Sequence, residues 1–213
     1  MQSAAQIKQA GQTPPVLHAL RVATEQAHRR LEARHLLGKH DFSRADYENI
    51  LRASYGFYLP LEQRLTSFAA EIPHLHWHDR RKLPLLWRDL NHFGHDAAII
   101  ERLPRCGRLP DIGSETDALG CLYVLEGATL GGQVLLKRVR HQLNIDAARG
   151  AAFFAGYGER TGAMWRRFID CLHFVKLPAD IARACASAQS TFQTFEIWLD
   201  QCGALSPDEE MHD

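Results

Sequence analysis

Neither charge predominates in this chain: 25 lysines and arginines balance 25 aspartates and glutamates over 213 residues. A generic nucleic-acid binder carries a basic excess, so that class is disfavoured. No apolar run approaches the roughly 18 residues of a membrane-spanning helix. The opening MQSAAQIKQAGQTPP holds no apolar stretch long enough for a secretory signal. Cysteine is scarce: Cys106, Cys121, Cys171, Cys185 and Cys202 are odd in number and form no CxxC pair. That pattern suits reduced thiols in a cytoplasm and argues against a disulfide framework or a Cys-ligated zinc site. The expectation is a cytoplasmic protein with no nucleic-acid or membrane partner. No GxSxG motif surrounds Ser114, Ser187 or Ser190. Glu25 and Glu32 each stand three residues before a histidine, but on one helix, and Glu62 and Glu126 do not, so the ExxH pair on two helices of the di-iron bundles is not formed. An alternating strand, an internal repeat and a linker that would split the core are also missing.

What is present reads as helix. Hydrophobic residues make up 46% and charged residues 23%, the balance of an ordinary globular protein. A first helix is predicted from about Pro15 to Leu37, with Thr13 as its cap and proline tolerated in its first turn. Its buried stripe is Leu17, Leu20, Thr24, Ala27, His28 and Leu31, at three- and four-residue steps. Ser43 and Asp46 mark a second start, and Pro60 should kink that helix. Further helices are expected over Asp79 to Phe93, from Ser114 and Asp117 to Leu143, and over Ala151 to Val175 with a break near Gly156 and Gly158. The last starts at Pro178 and is closed by Gly203. The fold class is therefore all-α, one domain of six to eight helices. Residues 1–13 read as a loose tail, 14–203 as the domain and 204–213 as an acidic tail.

Two local features carry chemistry. Leu125-Glu126-Gly127-Ala128-Thr129-Leu130-Gly131-Gly132-Gln133 puts three glycines in six positions of a helix. Each costs about 0.5–1 kcal/mol relative to alanine, so something should compensate. Either neighbouring helices pack tightly there, or a flat object approaches the backbone, helped by a kink. The second feature is His28 on the apolar stripe of the first helix. A lone histidine there is more often a satisfied core residue. Glu32 at i+4 gives it a partner that leaves the other ring nitrogen for a metal. His74, His76 and His78 alternate and could bind a metal on a strand, but the segment reads as a solvated loop between helices.

The segment Leu20-Arg21-Val22-Ala23-Thr24-Glu25-Gln26-Ala27-His28-Arg29-Arg30-Leu31-Glu32 resembles the proximal helix of the heme oxygenases. The segment Leu122 to Val134, with its Leu125-Glu126-Gly127 and Leu130-Gly131-Gly132-Gln133, is similar to their distal helix in its bacterial form. Met164-Trp165-Arg166-Arg167-Phe168 resembles the family's basic stretch near the heme propionates, and Thr191 to Leu199 its last helix. The likeness runs from about Leu17 to Leu199, and the combination resembles bacterial biliverdin-producing enzymes, including those encoded beside bacteriophytochromes.

The resemblance implies heme held between a proximal and a kinked distal helix, as both prosthetic group and substrate. Heme would be cleaved with O₂ and external electrons to biliverdin, CO and iron. His28 would be the axial iron ligand and Glu32 its orienting partner. Gly127, Gly131 and Gly132 would line the distal side. Arg21 and Arg166 would bind propionates beside Trp165, with Arg167, Lys137 and Arg138 as further contributors. Animal members carry an aspartate where this chain has Ala128, so proton delivery falls to other groups. The ring position cleaved stays open. The chain has no nucleotide or flavin fingerprint, so a ferredoxin or other reductase would supply electrons. A bacteriophytochrome is the implied acceptor of biliverdin. The alternative is a heme or bilin carrier on the same fold, to which Ala128 gives weight.

Overall fold

The computed structural model describes residues 13–39 and 41–207. Among them are eight α-helices: α1 (Pro15–Arg34), α2 (Arg44–Ala69), α3 (Leu83–His92), α4 (Ala97–Glu101), α5 (Glu115–Leu143), α6 (Ala152–Ala155), α7 (Thr161–Leu172) and α8 (Pro178–Gln201). Short 3₁₀ turns follow α1 and precede α3 and α7. The described residues form no β-strand, only isolated bridges.

The helix starts follow local chemistry where that chemistry is local. At α2 the Ser43 hydroxyl accepts the Asp46 N–H at 3.1 Å, and the Asp46 carboxylate accepts the Ser43 N–H at 2.8 Å. At α5 the Ser114 hydroxyl likewise accepts the Asp117 N–H, at 3.2 Å, but the Asp117 carboxylate accepts from the Ser114 hydroxyl and the Gly113 N–H rather than from the Ser114 N–H. α1 departs from expectation: Pro14 is its N-cap and no side chain caps it. The helix expected from Asp79 also starts late. Residues Trp77–Arg80 form a 3₁₀ turn, and α3 begins at Leu83. The Glu62 carboxylate of α2 takes the N–H groups of Lys82 and Leu83 at 2.5 and 3.1 Å, so the start is fixed by a residue distant in sequence. In the loop before it, Leu75 and Trp77 are buried and the flanking histidines exposed. His74 and His76 adopt left-handed φ of 63° and 52°.

α8 packs along both α1 and α5, and α2 joins α5 and α8 to close the core. Gly120 permits the closest approach, because a Cβ there would lie 2.2 Å from the Ala184 carbonyl oxygen. α5 is long and apolar enough by composition to cross a bilayer, with a mean hydropathy of 1.4 over its most apolar window. Half of that window is buried inside the protein. The expected N-terminal tail lies outside the described residues apart from Thr13, as does the acidic end beyond Pro207. The stretch after Gly203 packs rather than trails: Ala204, Leu205 and Ser206 are buried. Ser206 donates its N–H and its hydroxyl to the Arg34 carbonyl, at 2.8 and 2.7 Å.

Candidate functional site

α1 and α5 face each other across an open cavity of about 1000 Å³, at the upper end of the range of roughly 300–1,000 Å³ for small-molecule sites. Arg21, His28 and Glu32 line it from α1, Gly127, Gly131, Gly132 and Arg138 from α5, and Trp165 from α7. Lys137 and Arg166 do not line it, and both are exposed. Each is one residue from a lining neighbour, and one residue turns a helix by about 100°.

The stripe of α1 is buried at Leu17, Leu20 and Thr24 but not at its far end. The His28 side chain is 56% exposed and opens onto the cavity, so it is not a core histidine. Its Nδ1 lies 3.2 Å from a Glu32 carboxylate oxygen. Its ring meets Phe192 edge-on at 5.9 Å between centroids. With Nδ1–H donated to the carboxylate, the Nε2 lone pair remains for a metal. Arg21 makes no hydrogen bond or ion pair with other described residues. Arg29 is paired with Glu25, and Arg138 donates to the Gly38 carbonyl. Arg21 is thus the cavity arginine whose donors are free for an anionic ligand.

The three glycines divide. A Cβ on Gly127 or Gly131 would meet no protein atom within 4 Å. A Cβ on Gly132 would lie 3.0 Å from the Phe154 carbonyl oxygen. Tight packing therefore accounts for Gly132, and cavity space for Gly127 and Gly131. The helix is continuous from Glu115 to Leu143, so the access comes from missing side chains rather than from an interruption.

Behind this bare face lies a buried charge cluster that sequence reasoning passed over. The Glu126 carboxylate accepts from Arg80 at 2.7 Å and from the Tyr157 hydroxyl at 2.6 Å. Arg80 also donates to the Leu75 and Met164 carbonyls. Lys82 Nζ is 3.9 Å from Glu126 and 3.6 Å from the Tyr157 ring centroid. Burial pulls its pKa down to about 8. Burial likewise pushes Glu62 up, against hydrogen bonds from the Lys82 and Leu83 N–H groups and Arg81. The available signal was a carboxylate inside the apolar run Leu122–Leu130, since a buried charge implies partners. Other wall residues are Tyr58, Tyr123, Phe153, Phe154, Phe192 and Phe195. His35 lines the wall too; its Nδ1 accepts the Leu37 N–H, and burial lowers its pKa to about 4, so it is neutral.

A model of the heme oxygenase family matches residues 15–201. A heme oxygenase of Xanthomonas campestris pv. campestris (strain 8004) is 29% identical over 167 residues, which span 76% of this chain and 94% of the relative. Among solved structures, the NO- and CO-bound heme oxygenase from Neisseria meningitidis superposes with a TM-score of 0.73 at 21% identity, covering 92% of this chain and 98% of that one. Heme oxygenase from Leptospira interrogans gives 0.72 at 16% identity over 87% and 98%.

Proposed function

The chain belongs to the heme oxygenase family, and on that premise we propose that α1 and α5 would hold heme between them, with His28 Nε2 as the nitrogen that would take its iron. The activity is that of the family: an enzyme that binds heme and cleaves it to biliverdin, CO and iron. One observation carries the placement. The His28–Glu32 pair and the unfilled Cβ positions of Gly127 and Gly131 border the same cavity. A planar macrocycle needs a nitrogen donor on one side and a side-chain-free backbone on the other, and these residues fit that requirement.

Heme supplies the iron centre at which O₂ and electrons are brought to its own ring. The protein's residues bind, orient and exclude. Glu32 holds the His28 imidazole in the tautomer with a free Nε2 and raises its basicity. Gly127 and Gly131 would keep the opposite side clear of side chains, leaving backbone alone to face a small molecule there. Arg21 binds a propionate, and Arg138 is a second cation on the same cavity. Lys137 and Arg166, outside the lining, act at longer range on the surface an electron donor would approach. Trp165 closes the rim. Ala128 offers no titratable group, so proton delivery on this side would fall to ordered water.

O₂ and an external reductant complete the reaction. The donor is a ferredoxin or similar acidic protein, docking transiently on the exposed basic residues of the rim. A bacteriophytochrome that takes up the biliverdin fits the motif resemblance. The five unpaired thiols suit a cytoplasmic site of action.

The test is an absorption time course. Hemin added to the purified protein should give a Soret band. Ascorbate or reduced ferredoxin, in air with catalase, should then replace it with a broad bilin band. A stable heme complex with no bilin under either donor would overturn the catalytic reading. No Soret shift would overturn the heme site.

A further inference from the structure

The two flat sides of the cavity say little about how a disc between them would be turned. Gly127 and Gly131 offer no side chain, and His28 would hold only the metal. In-plane orientation would then be set by the remaining walls. One stretch of wall belongs to α6, a single helical turn that could not hold itself. Its first two N–H groups have no partner within the helix, and its N-cap residue Ala151 has no capping side chain. Asp89 of α3, fully buried, supplies both acceptors: Oδ1 takes the Ala152 N–H at 2.8 Å and Oδ2 the Phe153 N–H at 2.7 Å.

The other end is held from α5. Gln133 donates to the Ala155 carbonyl at 2.6 Å, and the Phe154 carbonyl rests against Gly132. The lead-in is held from α2, where the Tyr47 hydroxyl donates to the Gly150 carbonyl at 2.8 Å. Gly150 has a φ of +87°, and a Cβ there would strike the Phe93 and His92 rings. Three helices thus converge on one turn, which presents Phe153 and Phe154 to the cavity. The Phe153 ring stands edge-on to Tyr58 at 5.4 Å.

We propose that Asp89 is a positioning residue for the substrate. By capping α6 it fixes the Phe153–Phe154 stretch of the cavity wall, and that stretch sets the rotation of the macrocycle and so the meso carbon that is opened. The proposal rests on the heme reading above.

The test uses Asp89→Asn, Phe153→Ala, Phe154→Ala and the Asp89→Asn/Phe153→Ala pair in the full-length protein. Hemin Kd is read by Soret titration, biliverdin isomers by chromatography, and heme-free stability by thermal melting. Asparagine turns one of the two acceptors into a donor facing an N–H. Asp89→Asn should weaken hemin binding about tenfold and add a second biliverdin isomer. Combined with Phe153→Ala it should weaken binding by less than the sum of the two single effects, because both act in part through the Phe153 ring. A lower melting temperature with unchanged Kd and a single isomer would overturn the proposal, as would fully additive effects on Kd. If Asp89→Asn does not fold, Phe153→Ala and Phe154→Ala decide: unchanged isomers and Kd in both would overturn it. Failure of the wild type to bind hemin would instead bring down the heme reading, and this proposal with it.

Discussion

The two helices that face each other across the cavity carry their charge differently. α1 carries the reactive side chains, with the His28–Glu32 pair largely exposed, and is fastened to α8 by ion pairs on the buried Glu196. Arg30 and Arg34 both reach Glu196 of α8, and Arg34 also reaches Asp200. α5 offers glycine backbone and Arg138 to the cavity and is fastened from behind at the buried Glu126, which accepts from Arg80 and from the half-buried Tyr157. Partly exposed pairs are individually weak, whereas breaking a buried one leaves an uncompensated charge. The residue that would act on a ligand can therefore be changed with little cost to folding. The helix that must only keep out of the way is the expensive one to disturb.

The sharpest break in that contrast is Glu126→Ala. It strands Arg80 in the core and should cost about 3–5 kcal/mol, lowering the melting temperature by about 10 °C in a chain of this size. Thermal melting of the heme-free protein measures it. A loss under 1 kcal/mol would show that the cluster does not hold α5. On the other helix, His28→Ala should leave the melt within about 0.5 kcal/mol of wild type. It should abolish the wild-type Soret position and cut turnover more than the 10–100-fold expected, on the order of outer-partner effects, for Glu32→Gln. Wild-type spectra and rate in His28→Ala would remove the axial assignment.

Lys82 sharpens the comparison through pH. Burial draws its pKa from 10.5 to about 8. Between those values the unfolded chain holds a proton that the folded one does not, so stability rises with pH across that window. Below about 8 the full penalty is present. Lys82→Met should therefore be more stable than wild type at pH 7, on the order of 2–3 kcal/mol. That advantage should shrink steadily from pH 8 to 10.5. Denaturant melts of both proteins across this range give the difference, and a constant offset would refute the burial argument.

Much of this was legible from residues and much was not, along a physical line. Ser43, Ser114 and Gly203 act on their own neighbours, and their helix ends lie where the sequence put them. The start of α3 could not be read, because its cap is Glu62, twenty residues earlier. The stripe of α1 was read correctly to Thr24, then changed surroundings from core to cavity without changing period. Arg138 and Lys137, or Trp165 and Arg166, look alike as candidates until their helices are oriented. Glu126 was not singled out: its partners Arg80, Lys82 and Tyr157 come from other segments of the chain, and only the fold brings them together.

The smallest effect separates two adjacent glycines that a sequence treats alike. Gly131 faces open space, so Gly131→Ala should gain the roughly 0.8–1.0 kcal/mol by which alanine exceeds glycine in a helix and raise the melting temperature by about 2–4 °C. The same methyl group enters the cavity, so hemin affinity should fall as stability rises. Gly132→Ala receives the same helical gain but sets its methyl 3.0 Å from the Phe154 carbonyl oxygen. α6 is pinned at both ends by Asp89 and Gln133 and has little room to retreat. The gain should then be cancelled, leaving the melting temperature flat or lower. Equal rises in both variants would mean that α6 yields, and would weaken the case that Gly132 is small for packing while Gly131 is small for a ligand.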